Sequence, residues 1–158
     1  MIIRPLDPAD LPAAAALLHR ATLEFILHES TPEGAAHFLA ENNETGLRAR
    51  LAAGFVYHVA IVEDEVAGFV AMRGRSHVHY LFVDQRWQGR GIGRRLWEAG
   101  RDAALGDEHP GAFTVNASNH AVSFYAALGF VRTAPMQVAQ VLYNPMRLEL
   151  ASRLVVTA

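Results

Sequence analysis

The sequence predicts an α/β domain, with a mixed and mostly antiparallel central sheet of about seven strands flanked by about four helices. Three observations carry that prediction. Two early segments open with a capping residue followed by proline, Asp7-Pro8 and Thr31-Pro32. The hydrophobic period shifts to β-rich runs at Phe55. A strand, a glycine-rich loop and an amphipathic helix then succeed one another from His77 to Ala103.

The elements follow in order. "MIIRPL" alternates as a first strand. Asp7 caps a helix with Pro8 in its first turn, and Leu11, Leu17, Leu18, Phe25 and Ile26 supply its apolar face to about residue 27. "STPEG" opens a second helix, which "ENNETG" interrupts and "LRARLAAG" closes with Gly54 as its C-cap. "FVYHVAIV" and "VAGFVAM", joined by the acidic turn Glu63-Asp64-Glu65, and "HVHYLFV" make an antiparallel meander, with His77, His79, Leu81 and Val83 expected on one face. After the loop "DQRWQGRGIG", Ile92, Leu96, Ala99 and Ala103 form one helical stripe, and Arg94, Arg95, Glu98 and Arg101 lie off it. "GAFTV" is a further strand, "NHAVSFYAALGF" a short helix ended by Gly129, and "FVRTAPMQV" with "VLYNPMRLEL" a closing pair of strands.

The bulk numbers bound the function. A chain of 158 residues suits one domain, expected over 1–158, and is large enough to fold without disulfides or a structural metal. There is no cysteine, which removes any cysteine nucleophile or thiolate metal site and fits a reducing cytoplasm. His77-x-His79 would supply half a metal site with no third ligand spaced to complete it, so no metal is expected. No signal peptide or membrane span is expected, because no stretch approaches the roughly 18 apolar residues of a span. A net charge of −2 is too near zero to propose a nucleic-acid surface. All fourteen basic residues are arginine, and five of them, at 86, 90, 94, 95 and 101, fall in or after the glycine loop. Without lysine there is no ε-amine for Schiff-base chemistry.

A glycine-rich turn between a strand and a helix N-terminus leaves several backbone N–H groups aimed at one place, with the positive end of the helix dipole behind them. Gly89, Gly91 and Gly93 would let an anion come close to those amides. A P-loop is excluded, since it needs a lysine. The dinucleotide fingerprint G-x-G-x-x-G also fits poorly, because the spacing here is G-x-G-x-G and follows a meander.

Gln88-Gly89-Arg90-Gly91-Ile92-Gly93 matches Q/R-x-x-G-x-G/A, behind a strand ending "LFVD", and "VNASNHAVSFYAALGF" carries a tyrosine before Gly-Phe. In these two motifs, and in the order of its elements over nearly the whole chain, the sequence resembles the GNAT superfamily of acyl-CoA-dependent N-acetyltransferases. The resemblance implies a GNAT-like fold and acetyl transfer from acetyl-CoA to a small-molecule or peptide amine by direct attack in a ternary complex. The alternative is a non-catalytic acyl-CoA-binding module. It implies that backbone amides from Gln88 through Gly89, Arg90, Gly91, Ile92 and Gly93 to Arg94 hold the pyrophosphate, and that the backbone of Leu81, Phe82 and Val83 pairs with the pantetheine arm. Arg86, Arg90, Arg94 or Arg95 would reach the outer phosphate. Tyr125 matches the tyrosine that faces the thioester sulfur. The family's cofactor-contacting asparagine falls at Ser118 here, with Asn116 and Asn119 on either side, so which of the three meets the pantetheine stays open. His77 stands where one branch of the family carries a glutamate base, with His79, His28 and Glu29 as alternatives. The stretch "LHESTPEG" together with Arg73, Arg75 and Tyr143 is expected to help select the acceptor. A homodimer through the last strands is left open.

Overall fold

Antiparallel pairing between successive strands accounts for most of the sheet. The computed structural model describes residues 1–151, so residues 152–158 of the expected domain lie outside the described residues. The strands are β1 (Ile2–Pro5), β2 (Val56–Val62), β3 (Glu65–Arg73), β4 (His77–Val83), β5 (Ala112–Ala117), β6 (Val131–Arg132), β7 (Gln137–Val138) and β8 (Leu142–Glu149). Their order is β1-β2-β3-β4-β5-β8-β6, with β7 also paired to β8, so the described residues form eight strands, close to the expected number. Among the described residues only β4 and β5 run parallel. The helices are α1 (Leu11–Phe25), α2 (Pro32–Glu41), α3 (Glu44–Ala52), α4 (Ile92–Ala104) and α5 (Val122–Ala127).

Local sequence explains the ends of these elements. The Thr31 hydroxyl accepts from Gly34 N–H, as the capping pattern predicts; the Asp7 carboxylate accepts from Ala9 N–H, but it caps a 3-10 turn over Pro8–Asp10, and α1 follows from Leu11 with no side-chain cap of its own. Between β2 and β3, Glu63 and Asp64 have φ of 51° and 63°, the left-handed pair whose twist suits a two-residue hairpin. The expected single second helix is in fact two. Asn42 donates from Nδ2 to the Phe38 carbonyl at 2.9 Å, and the Asn43 carboxamide oxygen accepts from Gly46 N–H at 3.0 Å, so one residue trims α2 and the next starts α3. Likewise "FVRTAPMQV" is no continuous strand. Pro135, which has no amide donor, lies between the two-residue strands β6 and β7.

Each face of the sheet carries one hydrophobic cluster. Leu11, Leu17 and Leu18 of α1 and Leu47 of α3 cover Tyr57, Val59 and Phe69 on one face. On the other, α4 covers Val70 and Met72. The buried side of α4 is Ile92, Leu96, Trp97, Gly100 and Ala104, whereas Ala99 is half-buried and Ala103 exposed, which corrects the stripe read from spacing. Trp97 decides the rotation: its ring meets Phe113 at 5.0 Å and Phe130 at 5.3 Å, both edge to face, and burying an indole outweighs burying two methyl groups.

Two irregularities in β4 position the site. Ala71 is registered with Tyr80 but Met72 with Val78, so His79 is an extra, bulged residue. The alternation therefore breaks there. Val78, Leu81 and Val83 join the cluster under α4, whereas His79 packs against Phe55 at 5.1 Å beside the α1 and α3 cluster, so the four expected residues do not share one face. Second, β4 and β5 are joined by only two registered pairs, His77 with Thr114 and Val78 with Val115. Beyond them β5 continues to pair with β8 as far as Ala117 and Asn144, and a gap opens between β4 and β5.

Candidate active site

At the mouth of that gap, Asp84 folds the chain into a short 3-10 turn, its Oδ1 accepting from Arg86 N–H at 3.0 Å. Gly89 and Gly91 both have φ of 77°, a region closed to most side chains, and a Cβ on either would point into open space. Gly91 is also the N-cap of α4, and no side chain caps that end. The first intrahelical bond runs from Arg95 N–H to the Gly91 carbonyl. The amides of Ile92, Gly93 and Arg94 are therefore offered outward at the positive end of a thirteen-residue helix. They border a cavity of about 370 Å³ that runs from Trp87 and Arg94 to Leu81 and Tyr125.

Strand geometry says which backbone groups line the gap. Asp84 N–H is bonded to the Ala67 carbonyl on the β3 side at 2.8 Å. Alternation then turns the polar groups of Phe82 toward β3 and those of Leu81 and Val83 toward the gap. Gln88 Nε2 reaches the Val83 carbonyl at 3.2 Å, consistent with that carbonyl having no strand partner.

A second cavity of about 360 Å³ continues from the first, sharing Leu81, Ala121 and Tyr125 with it. Tyr125 is 4 % exposed, packed edge to face on Phe124 and Phe130, and burial pushes its phenol well above the ordinary range. His77 and His79 line this chamber with rings 6.4 Å apart. His77 Nδ1 is 2.8 Å from the Thr114 hydroxyl, leaving Nε2 as its free nitrogen. Burial lowers both imidazoles to about 4, helped by Arg73 at His77 and by Arg50, His77 and Arg73 at His79, so both are neutral at pH 7. The outer wall comes from Phe38, Glu41 and Asn42 around the α2–α3 corner, Arg50 of α3, and Ala139 to Tyr143 at the β7–β8 turn. A free-amide cradle opening into a chamber of mixed polar and apolar lining, with a buried phenol at the junction, suits group transfer between an anionic carrier and a second substrate.

Comparison with known proteins supplies the family. A model described as an acetyltransferase (GNAT) domain matches residues 26–150. The chain belongs to the GNAT acetyltransferase family. It is similar to the crystal structure described as a GCN5-related N-acetyltransferase (aminotransferase, class II) from Rhodopseudomonas palustris, at 26% identity and a TM-score of 0.78 over 94% of this chain and 95% of that one. It is also similar to ribosomal-protein-alanine N-acetyltransferase from Brucella melitensis, at 25% identity and a TM-score of 0.68 over 95% and 100%. A likeness of fold alone extends to PaiA N-acetyltransferase from Thermoplasma acidophilum in complex with coenzyme A, at 14% identity and a TM-score of 0.69 over 94% and 98%. No curated protein matches the chain.

Of the residues expected at the donor, Leu81, Val83, Gln88, Gly89, Gly91 to Arg94 and Tyr125 border the first cavity. Phe82 and Arg90 do not: the polar groups of Phe82 face β3 and Arg90 turns onto Trp87. Asn116 and Ser118 border the second, but Asn119 borders neither: it donates to Glu29 Oε2 at 2.7 Å and accepts from Asn144 Nδ2 at 2.8 Å. Arg86 is paired with Glu65 and lies near Asp84, and Arg90 lies over the Trp87 ring at 4.9 Å. Of the four arginines considered for the outer phosphate, only Arg94 borders the donor cavity. Tyr143 lines the chamber, whereas His28, Glu29, Arg73 and Arg75 do not. Arg75 instead donates to the Ala104 carbonyl at 3.2 Å.

Several residues that line or brace the two cavities escaped the sequence reading. Phe38, Asn42 and Arg50 gave no motif, and the stack of Phe25 on His120 at 4.0 Å, which ties the end of α1 to the turn before α5, joins residues far apart in the chain. Asn144, fully buried, donates to the Ala117 carbonyl at 3.0 Å and accepts from Arg132, thereby fixing the end of β5 beside the gap. The polar residue interrupting "VLYNPM" was its only trace.

Proposed function

We propose that the chain acts as a single acetyltransferase domain, moving an acetyl group from acetyl-CoA to a primary amine by direct attack in a ternary complex. The observation that carries this reading is the continuity of the two cavities through Tyr125. The residues suit coenzyme A, because an uncapped helix N-terminus answers a pyrophosphate and a splayed strand edge answers the amides of a pantetheine arm. When bound there, acetyl-CoA supplies the activated thioester.

The chain's own residues then divide the work. The amides from Gln88 to Arg94 hold the pyrophosphate, Leu81 and Val83 pair with the pantetheine, and Asn116 and Ser118 stand across the gap. Arg94 takes the outer phosphate, since Arg86 and Arg90 are otherwise engaged. Tyr125 stays protonated and donates a hydrogen bond to the leaving sulfur. With a phenol raised above its ordinary value and a thiol near 8.5, complete proton transfer from Tyr125 is uphill.

The amine poses the larger problem. An alkylammonium with pKa near 10.4 needs about 4–5 kcal/mol to lose its proton at pH 7. A histidine at about 4 is too weak a base to remove that proton, since the transfer is uphill by about 9 kcal/mol. The amine therefore loses its first proton to water. Once the nitrogen bonds to carbon it is cationic with two protons, one of which becomes far more acidic; a neutral imidazole takes that one, the amide keeps the other, and the thiolate leaves. His77 is assigned that role, because Thr114 fixes its ring and leaves Nε2 free.

Thiol release with acetyl-CoA against a panel of amines tests the proposal. Acceptor-dependent release is the expected result. Binding of acetyl-CoA without release across the panel would instead leave an acyl-CoA-binding module.

A further inference from the structure

We propose that the acceptor carries a carboxylate as well as its amine, and that Arg50 binds that carboxylate, so that the substrate class is amino acids rather than simple amines. This rests on reading the second cavity as the acceptor chamber.

Arg50 is half-buried and borders the chamber. Arg4, Arg20, Arg48, Arg86, Arg101 and Arg147 are paired with carboxylates; Arg50 is among the described arginines that form no ion pair, and of these it is the one that borders the chamber. Its position is nevertheless fixed. Nη1 donates to the Glu41 carbonyl at 2.9 Å, and the guanidinium lies 5.7 Å over the Tyr80 ring. Tyr80 is itself held, its hydroxyl donating to Asn42 Oδ1 at 2.5 Å. Gly46 makes the arrangement feasible, because a Cβ there would collide with the Glu41 carbonyl and crowd Arg50 Nη1.

A guanidinium held on one side by a carbonyl and an aromatic face keeps its remaining N–H donors for a ligand, and their planar fork matches a carboxylate. Among the described residues Glu41 is the one acid bordering the chamber, where Arg50 balances it, and Arg73 outside the lining adds positive charge near both histidines. Arg50 lies close enough to His79 to help lower its imidazole, and His79 shares the chamber with Leu81 and Tyr125, where the two cavities meet. Apolar groups such as Ile26, Phe38 and Leu142 remain for a hydrocarbon side chain.

The test is calorimetric binding of N-acetyl-L-leucine and N-acetyl-L-leucinamide to the protein saturated with coenzyme A. These probes differ in the carboxylate and contain no titrating amine. The wild type is expected to bind the carboxylate form at least about tenfold more tightly, and Arg50→Gln to reduce that preference to about twofold while leaving coenzyme A affinity unchanged. Arg50→Lys, which keeps the charge and loses the fork, should fall between them. Equal binding of both probes by the wild type, binding of neither, or an undiminished preference in Arg50→Gln would overturn the assignment. Turnover separates it from the reading beneath it. Thiol release from leucine and 3-methylbutylamine with equal kcat/KM would contradict the carboxylate site and leave acetyl transfer intact. A carboxylate preference in binding without thiol release from any amine would do the reverse.

Discussion

The proposed donor and acceptor halves of the cleft are built in different ways. The donor half is nearly one continuous segment, Leu81 to Arg94, closed by Phe124 and Tyr125, and the polar groups it offers at the start of α4 are backbone amides among apolar side chains. The acceptor half gathers side chains from α2, α3, β4, β5 and the β7–β8 turn, and it presents imidazoles, a guanidinium and carboxamides. Backbone recognition demands a particular path of the chain, so a few glycines carry it. Side-chain recognition demands particular groups, which separate elements must bring together. One domain can thus keep a fixed donor while its acceptor chemistry is set elsewhere in the chain.

This difference predicts which substitutions disturb which half. The largest effect is expected from Gly91→Val, which forces a β-branched residue to φ of 77°: acetyl-CoA Kd should rise by about a hundredfold by titration, with N-acetyl-L-leucine binding little changed. An unaltered Kd would break the distinction between the halves. Tyr125→Phe, at the junction, should lower kcat by about 10–100-fold, the worth of one hydrogen bond to a developing thiolate, and leave acetyl-CoA Kd within about twofold. Unchanged kcat would remove Tyr125 from the chemistry. Arg94→Gln should raise acetyl-CoA Kd by about 5–10-fold, less at high salt, whereas Arg86→Gln should not. Equal losses in both variants would contradict the choice between these arginines.

The smallest expected effect concerns pH and the acceptor half. His77 and His79 titrate at about 4 in the folded chain against an ordinary 6.5, so between those values the unfolded chain binds more protons. Their contribution is fully present above pH 6.5 and is lost as pH falls toward 4. Denaturant midpoints should drop across that window and drop less in His77→Gln or His79→Gln; parallel curves would exclude this origin. The acidic limb of kcat/KM should likewise lie near 4, with no break at 6.5, and only His77→Ala should remove it.

The same contrast explains what was legible in the sequence. Caps at Asp7 and Thr31, the meander, the loop and the tyrosine helix are each local, so short patterns revealed them. The bulge at His79 was not legible, because it is a relation between β3 and β4, and neither strand carries a signal for it. Arg50 gave none for a similar reason: an arginine on a polar helix reads as solvated until Glu41, Tyr80 and the chamber are placed around it. The rotation of α4 was misjudged because small apolar residues were weighed equally with Trp97. Asn119, considered for its place in a motif, borders neither cavity and instead links Glu29 to Asn144.

The central claim is that the donor is held by the backbone of β4 and of the loop entering α4. Amide hydrogen exchange with and without acetyl-CoA tests it most directly. Protection is predicted at Leu81, Val83 and the amides from Gln88 to Arg94, with little change in α2, α3 or the β7–β8 turn. Unchanged exchange along Gln88 to Arg94 when acetyl-CoA is bound, or protection confined to α2 and α3, would contradict the account.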